Sequence, residues 1–206
     1  MTSPFGTIIT PSQVEVWVED FAKKWFVEYL AEVERQLGLD PQTYPDLRSY
    51  VRANDFDHWP EDQLPSLMVM NMGLADEPIK RNGGWDAKWM IGAAIIVSGY
   101  DRNATRDLMN NYGAAFRAMI LQTRSLEREE VRGVDWVDER PAPLPDDAER
   151  TLGAQQMFFA VEVEKVVDAR GGTPEPEPRP DPYVDPGPGG VVIDTAIVNI
   201  EHVEEI

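Results

Sequence analysis

The stretch that decides the fold runs from residue 89 to residue 126, WMIGAAIIVSGYDRNATRDLMNNYGAAFRAMILQTRSL. Its first part, residues 89–97, is apolar on both alternating faces, so the pattern predicts a strand that is covered above and below. Gly92 and Ala94 share one face, which allows close approach by a helix. The run is well short of the ~20 residues that a membrane-spanning helix needs. We therefore expect a strand inside a sheet and no insertion into a membrane.

The second part of this stretch predicts an amphipathic helix over residues 103–123. Asp101 or Asn103 can cap it by accepting hydrogen bonds from the free amides of the first turn. Apolar residues then recur at the three-to-four spacing of a helix that buries one face. Strand and helix together predict a sheet with a helix packed across it.

Three arginines, Arg106, Arg117 and Arg124, lie on the opposite side of this helix. Such a stripe is either a solvated face or a docking surface. Residues 101–132 hold six arginines against five acidic residues, whereas the whole chain has a net charge of −18. We expect this near-neutral patch to meet the acidic surface of another copy in a ring or filament.

Composition narrows the classes of function. A net charge of −18 argues against nucleic-acid binding, because phosphate contacts need a basic patch. The chain has no cysteine, so disulfides and thiolate metal sites are excluded. Neither His58 nor His202 has a second histidine at metal spacing, and no phosphate loop or nucleophile elbow occurs. We predict no metal, no cofactor and no enzymatic activity.

An earlier helix is predicted over residues 11–37. Thr10, Pro11 and Gln13 form a capping box with proline at the first helical position, and Gly38 is a natural stop. The predicted buried stripe, which Val18, Phe26 and Leu30 widen, consists of Val14, Trp17, Phe21, Trp25, Tyr29, Val33 and Leu37. The extra aromatic residues Trp25 and Phe26 leave room for a contact with a partner.

The segment between the first helix and the central strand contains a second strand. Residues 40–62 are irregular, with one turn of helix near residues 47–52. Residues 64–72 predict a strand that pairs with residues 89–97 as a long hairpin. The polar loop between them, residues 73–84, is longer than a tight hairpin requires, which makes it an interface candidate.

Two more strands are predicted after the second helix, at residues 131–137 and 152–168, separated by a proline-rich turn at residues 141–147. Glycine and proline occupy 12 of the 20 positions in residues 171–190, which is typical of an extended linker.

A final strand is predicted within residues 191–206. Ile193, Ile197, Val198 and Ile200 lie in it, and it can return to its own sheet or add to a neighbour's edge. The predicted fold is therefore α+β, with a mostly antiparallel sheet of about five strands and two main helices in residues 1–170.

The order of elements resembles the tail terminator proteins of long-tailed bacteriophages, particularly those that infect actinobacteria. The similarity covers roughly residues 12–170 and rests on packing positions without a catalytic signature. The residues that carry it are Leu64 and Pro65, then Trp89, Ala93, Val97, Gly99 and Asp101, then Tyr112, Ala115 and Arg117, and finally Phe159, Val161 and Val163.

The resemblance implies a structural virion protein made in the cytoplasm of the bacterial host. Such a protein forms a ring, commonly a hexamer, that caps the tail tube, ends its polymerisation and joins it to the head connector. Phage DNA passes through the ring, and an acidic lumen would repel its phosphates. The loop at residues 73–84, with Asp76, Glu77, Lys80 and Arg81, is then the expected contact with the tube or connector protein.

Two alternatives to the tail terminator stay open at this point. Another neck or tail-completion subunit shares the small sheet-and-helix plan and differs in the ring that it contacts. A monomeric domain that captures a peptide on its edge strand or final strand belongs to a different class. Oligomeric state separates the second alternative from the ring.

Overall fold

The computed structural model describes residues 6–52, 61–123, 125–144 and 151–168. The chain divides into two units, Met1–Thr173 and Pro174–Ile206, and all of the described residues belong to the first. In chain order the elements are α1 (Pro11–Leu37), β1 (Ser49–Val51), a 3-10 turn (Glu61–Gln63), β2 (Ser66–Leu74), β3 (Ile79–Arg81), β4 (Gly84–Gly99), α2 (Arg102–Thr123), β5 (Val131–Pro143) and β6 (Thr151–Asp168).

One sheet organises these elements. Its strands lie in the order β1-β2-β4-β6-β5, and β3 pairs with β4 on the same side as β2. β1 runs parallel to β2, and the other pairs are antiparallel. The prediction of an α+β fold with a mostly antiparallel sheet and two main helices is confirmed, with six strands in place of about five.

The central strand β4 is longer than predicted and separates two unlike faces. Ile91, Ala93, Ile95 and Val97 are buried in the main core, where α1 and α2 pack across the sheet. Gly92 lies on the opposite face, where an added Cβ would meet the side chains of Met70 and Met72. The expectation that a helix approaches Gly92 and Ala94 is therefore wrong for the part of the chain that the structure describes.

The bounds of α1 agree with the sequence, but its buried face is rotated. Gln13 Oε1 accepts a hydrogen bond from the Thr10 N–H at 2.7 Å, and Gly38 adopts φ 69° at the C-terminus. The residues that are buried are Val14, Val18, Phe21, Ala22, Phe26, Leu30 and Glu34. Trp25, Tyr29 and Val33 are only partly buried and Leu37 is exposed, because α1 offers more apolar residues than one contact face can cover.

Three other expectations need correction. Residues 49–51 form β1 instead of a helical turn, because they add a parallel edge to β2. The predicted loop at residues 73–84 contains the end of β2, all of β3 and the start of β4. β5 continues to Pro143, through the first part of the predicted turn at residues 141–147. The hairpin of β2 with β4 and the strand at residues 152–168 are confirmed.

Candidate assembly surfaces

The outer face of α2 is the first surface that the sequence singled out. Asp101 caps the helix, since its Oδ1 accepts a hydrogen bond from the Ala104 N–H at 2.7 Å. Arg106 and Arg117 are exposed, as the periodicity predicted, and Asn110 between them is exposed as well. The helix therefore presents a polar face that points away from the core.

The three predicted arginines differ in whether they form ion pairs within the chain. Arg106 has no ion-pair partner among the described residues. Arg117 is ion-paired with Glu139 of β5 in the same chain, and Glu139 also accepts a hydrogen bond from Gln155 Nε2 at 3.1 Å. Arg124 lies outside the described residues. Arg106 is thus the cation of this face that remains available to another molecule.

The second predicted surface is the far end of the β2–β4 hairpin. Asn82 and Gly83 both have positive φ, 46° and 81°, so a two-residue turn joins β3 to β4. An Asn-Gly pair between two strands is the strongest short-range hairpin signal in a sequence. The prediction of a loop at residues 73–84 overlooked this signal because few apolar residues flank the turn.

The four predicted contact residues at this end differ in their availability. Glu77 and Lys80 are exposed and have no ion-pair partner among the described residues. The other two are ion-paired: Asp76 Oδ2 lies 3.8 Å from Lys88 Nζ, and Arg81 Nη1 lies 3.6 Å from Glu162 Oε1. Residues around this end also expose apolar surface, with Ile79 at 51% exposure. The hairpin end combines free charges with apolar contact area.

The face of the sheet opposite the helices, here called the open face, was not singled out by the sequence. No described helix packs on it. Its middle is a shallow apolar depression of about 190 Å³, lined by Met70, Met72, Gly92, Ala94 and Phe158 among others. The guanidinium of Arg140 lies 4.9 Å from the ring centre of Phe158, a cation–π contact.

One end of the open face carries a cluster of ion pairs. Three cations, Lys88, Arg81 and Arg132, each contact two carboxylates. The five carboxylates are Asp76, Asp86, Asp135, Glu162 and Glu164. The hydrogen bond to Asp135 at 2.9 Å raises the pKa of Lys88. Every cation of the cluster is therefore already neutralised by the protein itself.

A groove between α1 and α2 also escaped the sequence analysis. It measures about 380 Å³, and its floor and walls include Trp25, Tyr29, Val33, Ala114 and Ala118. The Tyr29 hydroxyl donates a hydrogen bond to Gln122 Oε1 at 3.0 Å across the groove. The signal was present in the α1 sequence as an apolar stripe wider than one contact face.

The rim of this groove is acidic. Glu28 and Glu32 line it. Glu32 is engaged by Arg35 at 2.6 Å, a contact that lowers the pKa of Glu32 to about 2. Glu28 is exposed and has no partner among the described residues. The groove thus carries one unpaired carboxylate beside an aromatic and aliphatic surface.

Several predicted features fall beyond these surfaces. The linker at residues 171–190 and the terminal strand with Ile193, Ile197, Val198 and Ile200 lie outside the described residues, as do His58 and His202. Within the described part, no group of three or more His, Cys, Asp or Glu residues is placed to hold a metal ion. None of the described helices combines the length and apolar character needed to cross a membrane.

Comparison with known proteins adds little to this geometry. No family model and no curated protein matches the chain. Among solved structures, a chain of "Virion of native gene transfer agent (GTA) particle" matches with a TM-score of 0.39 and 13% identity, over 66% of this chain and 90% of that chain. At that level of similarity the match carries no argument about function.

Proposed function

We propose that this chain is a structural protein of a bacteriophage neck. In this role it forms a ring that caps the tail tube, ends the polymerisation of the tube and joins it to the head connector. The observation that carries the proposal is where the resembling residues lie. Ala93, Val97, Tyr112, Phe159 and Val161 all belong to the buried core, so the shared pattern is the pattern of this fold.

Ring assembly needs a contact that repeats from copy to copy. The whole chain has a net charge of −18, and copies of it repel one another unless local charges are complementary. Arg106 is the unpaired cation on the outer face of α2. We infer that it meets an acidic surface of the neighbouring subunit, and that this contact repeats head to tail until the ring closes.

Passage of DNA through the ring requires a lumen that does not hold phosphates. The ion-pair cluster on the open face supports this part of the proposal, because its cations are bound to more carboxylates than there are cations. The three cations of this cluster therefore offer no free positive charge for counterion release. We therefore expect no measurable affinity of the chain for double-stranded DNA at physiological salt.

The contact with the tube or connector protein is proposed at the hairpin end. Glu77 and Lys80 supply free charges there, and Ile79 supplies exposed apolar area. Interfaces of this composition, apolar with a polar rim, are typical of specific protein contacts. In this scheme the α2 face holds the ring together and the hairpin end meets a different protein.

A second candidate function is a peptide-binding domain that remains monomeric. It is favoured by β5, whose outer edge has no strand partner among the described residues. The strand bulges twice and carries Pro141 and Pro143, features that oppose addition of another strand. The oligomeric state of the full chain decides between the two candidates.

Charge reversal at Arg106 tests the proposed ring contact. We expect wild-type self-association, measured by sedimentation and native mass spectrometry, to weaken as salt rises from about 0.05 M to about 0.5 M. Arg106→Glu should weaken it by about tenfold or more and reduce its salt dependence. The matched control is Lys80→Glu, which reverses an equally exposed charge at the hairpin end and should leave self-association unchanged.

Each outcome of this experiment separates two hypotheses. Equal self-association of Arg106→Glu and wild type would show that this arginine takes no part in the contact. A wild-type chain that stays monomeric at every concentration would contradict the ring and favour the peptide-binding domain.

A further inference from the structure

Tyr100 is the most exposed large hydrophobic side chain of the described residues, at 91% exposure. It lies in the turn between β4 and α2, directly before the capping residue Asp101. Tyrosine supplies a large contact area with little conformational entropy to lose, and for this reason it is enriched at the centres of protein interfaces. An aromatic ring this exposed at a helix start is available for a contact outside the single chain.

The interhelix groove described above has the features that such a ring would require. It is concave, measures about 380 Å³, and presents Trp25, Tyr29 and Val33 beside two alanines, Ala114 and Ala118. The small alanine side chains leave the space open, while the aromatic walls favour stacking with another ring. The volume lies within the range of ordinary binding pockets.

The charges beside Tyr100 and beside the groove are opposite in sign. Arg106 lies in the first turns of α2, at the same end of the helix as Tyr100, and has no ion-pair partner among the described residues. Glu28 lines the groove and is unpaired as well. Asp107 is the next residue after Arg106 in the sequence. It lies on the side of α2 that faces the connection after α1, where its charge acts on Tyr44.

The two surfaces cannot meet within one chain. Arg102 and Ala118 are separated by 16 residues of α2, which at 1.5 Å per residue is about 24 Å along the helix axis. Tyr100 precedes that helix, so its ring is well out of reach of its own groove. A contact between them therefore joins two copies, and when it repeats head to tail it generates a ring or a filament.

We propose that the interhelix groove of one subunit receives Tyr100 of the next, with Arg106 placed against the Glu28 side of the rim. The occupant of the groove is thus a second copy of this chain. The proposal rests on the self-association proposed above and specifies the acidic surface that Arg106 meets.

Photo-crosslinking from position 100 tests this contact and keeps an aromatic ring there. The full-length chain with Tyr100→p-benzoylphenylalanine is irradiated under conditions where wild type associates, digested with trypsin and analysed by mass. We expect covalent dimers and larger oligomers, with crosslinks from position 100 to the peptides of residues 25–35 and 118–124, which hold Trp25, Tyr29, Val33 and Ala118 of the groove.

The matched control is Lys80→p-benzoylphenylalanine, at an exposed position of the hairpin end. It should give no crosslinks to the groove peptides. Crosslinks from position 100 to other surfaces instead of the groove, or equal crosslinking to the groove from both positions, would overturn the proposal.

A measurement without crosslinking separates this proposal from the ring itself. Tyr100→Ala should weaken self-association by about tenfold or more, as expected for an aromatic residue at an interface centre, while its circular dichroism stays that of wild type. If wild type associates and Tyr100→Ala associates equally, the groove contact is wrong and the ring remains. If wild type does not associate, both are wrong.

Discussion

At the scale of the single residue, Glu34 fixes the connection that leaves α1. Its side chain is only 4% exposed and accepts hydrogen bonds from the Gln42 N–H at 3.0 Å and the Tyr44 N–H at 2.7 Å. Tyr44 in turn accepts a hydrogen bond from Asn111 of α2 at 2.7 Å. A carboxylate near the end of α1 therefore ties together the connection and the second helix.

Replacement of Glu34 by alanine should leave two backbone amides without acceptors. We expect the free energy of unfolding to fall by about 2–3 kcal/mol, the cost of unsatisfied buried donors that had bonded to a charged group. Urea unfolding followed by circular dichroism measures it. Asp20→Ala, which removes an exposed carboxylate of the same helix, should change stability little, and an equal loss in both variants would contradict this role.

The sequence could not reveal Glu34 as a structural residue. An acidic residue near the end of an amphipathic helix is ordinarily solvated. Its two partners lie eight and ten positions away, in a segment without periodicity. Roles of this kind depend on how an irregular connection folds back, and no local pattern records that.

At the scale of the element, the junction between β4 and α2 depends on close packing at Gly99. A Cβ at this position would lie 2.5 Å from Thr105 Oγ1 and 2.6 Å from Thr105 N. Thr105 cannot move away at low cost, because it is buried and its hydroxyl donates to Asp101 O at 2.8 Å. The first turn of α2 is thus seated directly on the end of the central strand.

Gly99→Ala should destabilise the protein by about 1–3 kcal/mol, the usual cost of overpacking a tight site. Thermal unfolding measures the difference. Gly133→Ala is the matched control, since an added Cβ at Gly133 meets nothing within 4 Å. A Gly99→Ala variant as stable as Gly133→Ala would show that the junction yields without cost.

Elements with a strong period were predictable, and elements defined by their partners were not. The bounds of α1 and β6 agree closely with the predicted ranges because capping residues and alternation mark them locally. β1 is three residues long and exists only because β2 accepts it. The rotation of α1 follows from how α2 packs beside it, which the apolar pattern of α1 alone does not contain.

At the scale of the whole molecule, the same limit applies to the assembly surfaces. The exposed position of Arg106 follows from helical periodicity, so the sequence was sufficient to propose it. The ion pair of Arg117 with Glu139 joins residues 22 positions apart, and only the packed sheet brings them together. The groove needs both helices in place before it exists, and for this reason it emerged from the structure.

The proposed role sets a strict requirement on where the protein lies in a virion. A ring that ends the tail tube occupies one level of the particle, whereas a tube subunit repeats along the tail and a tip protein lies at the opposite end. Location therefore distinguishes the proposed role from most other structural roles more directly than any solution measurement of the isolated chain.

Electron microscopy of intact phage particles that carry this chain, labelled with a gold-conjugated antibody against it, is the decisive measurement. We predict label confined to the junction between head and tail. Label along the tube, at the tail tip or over the capsid, or particles without any label, would contradict it.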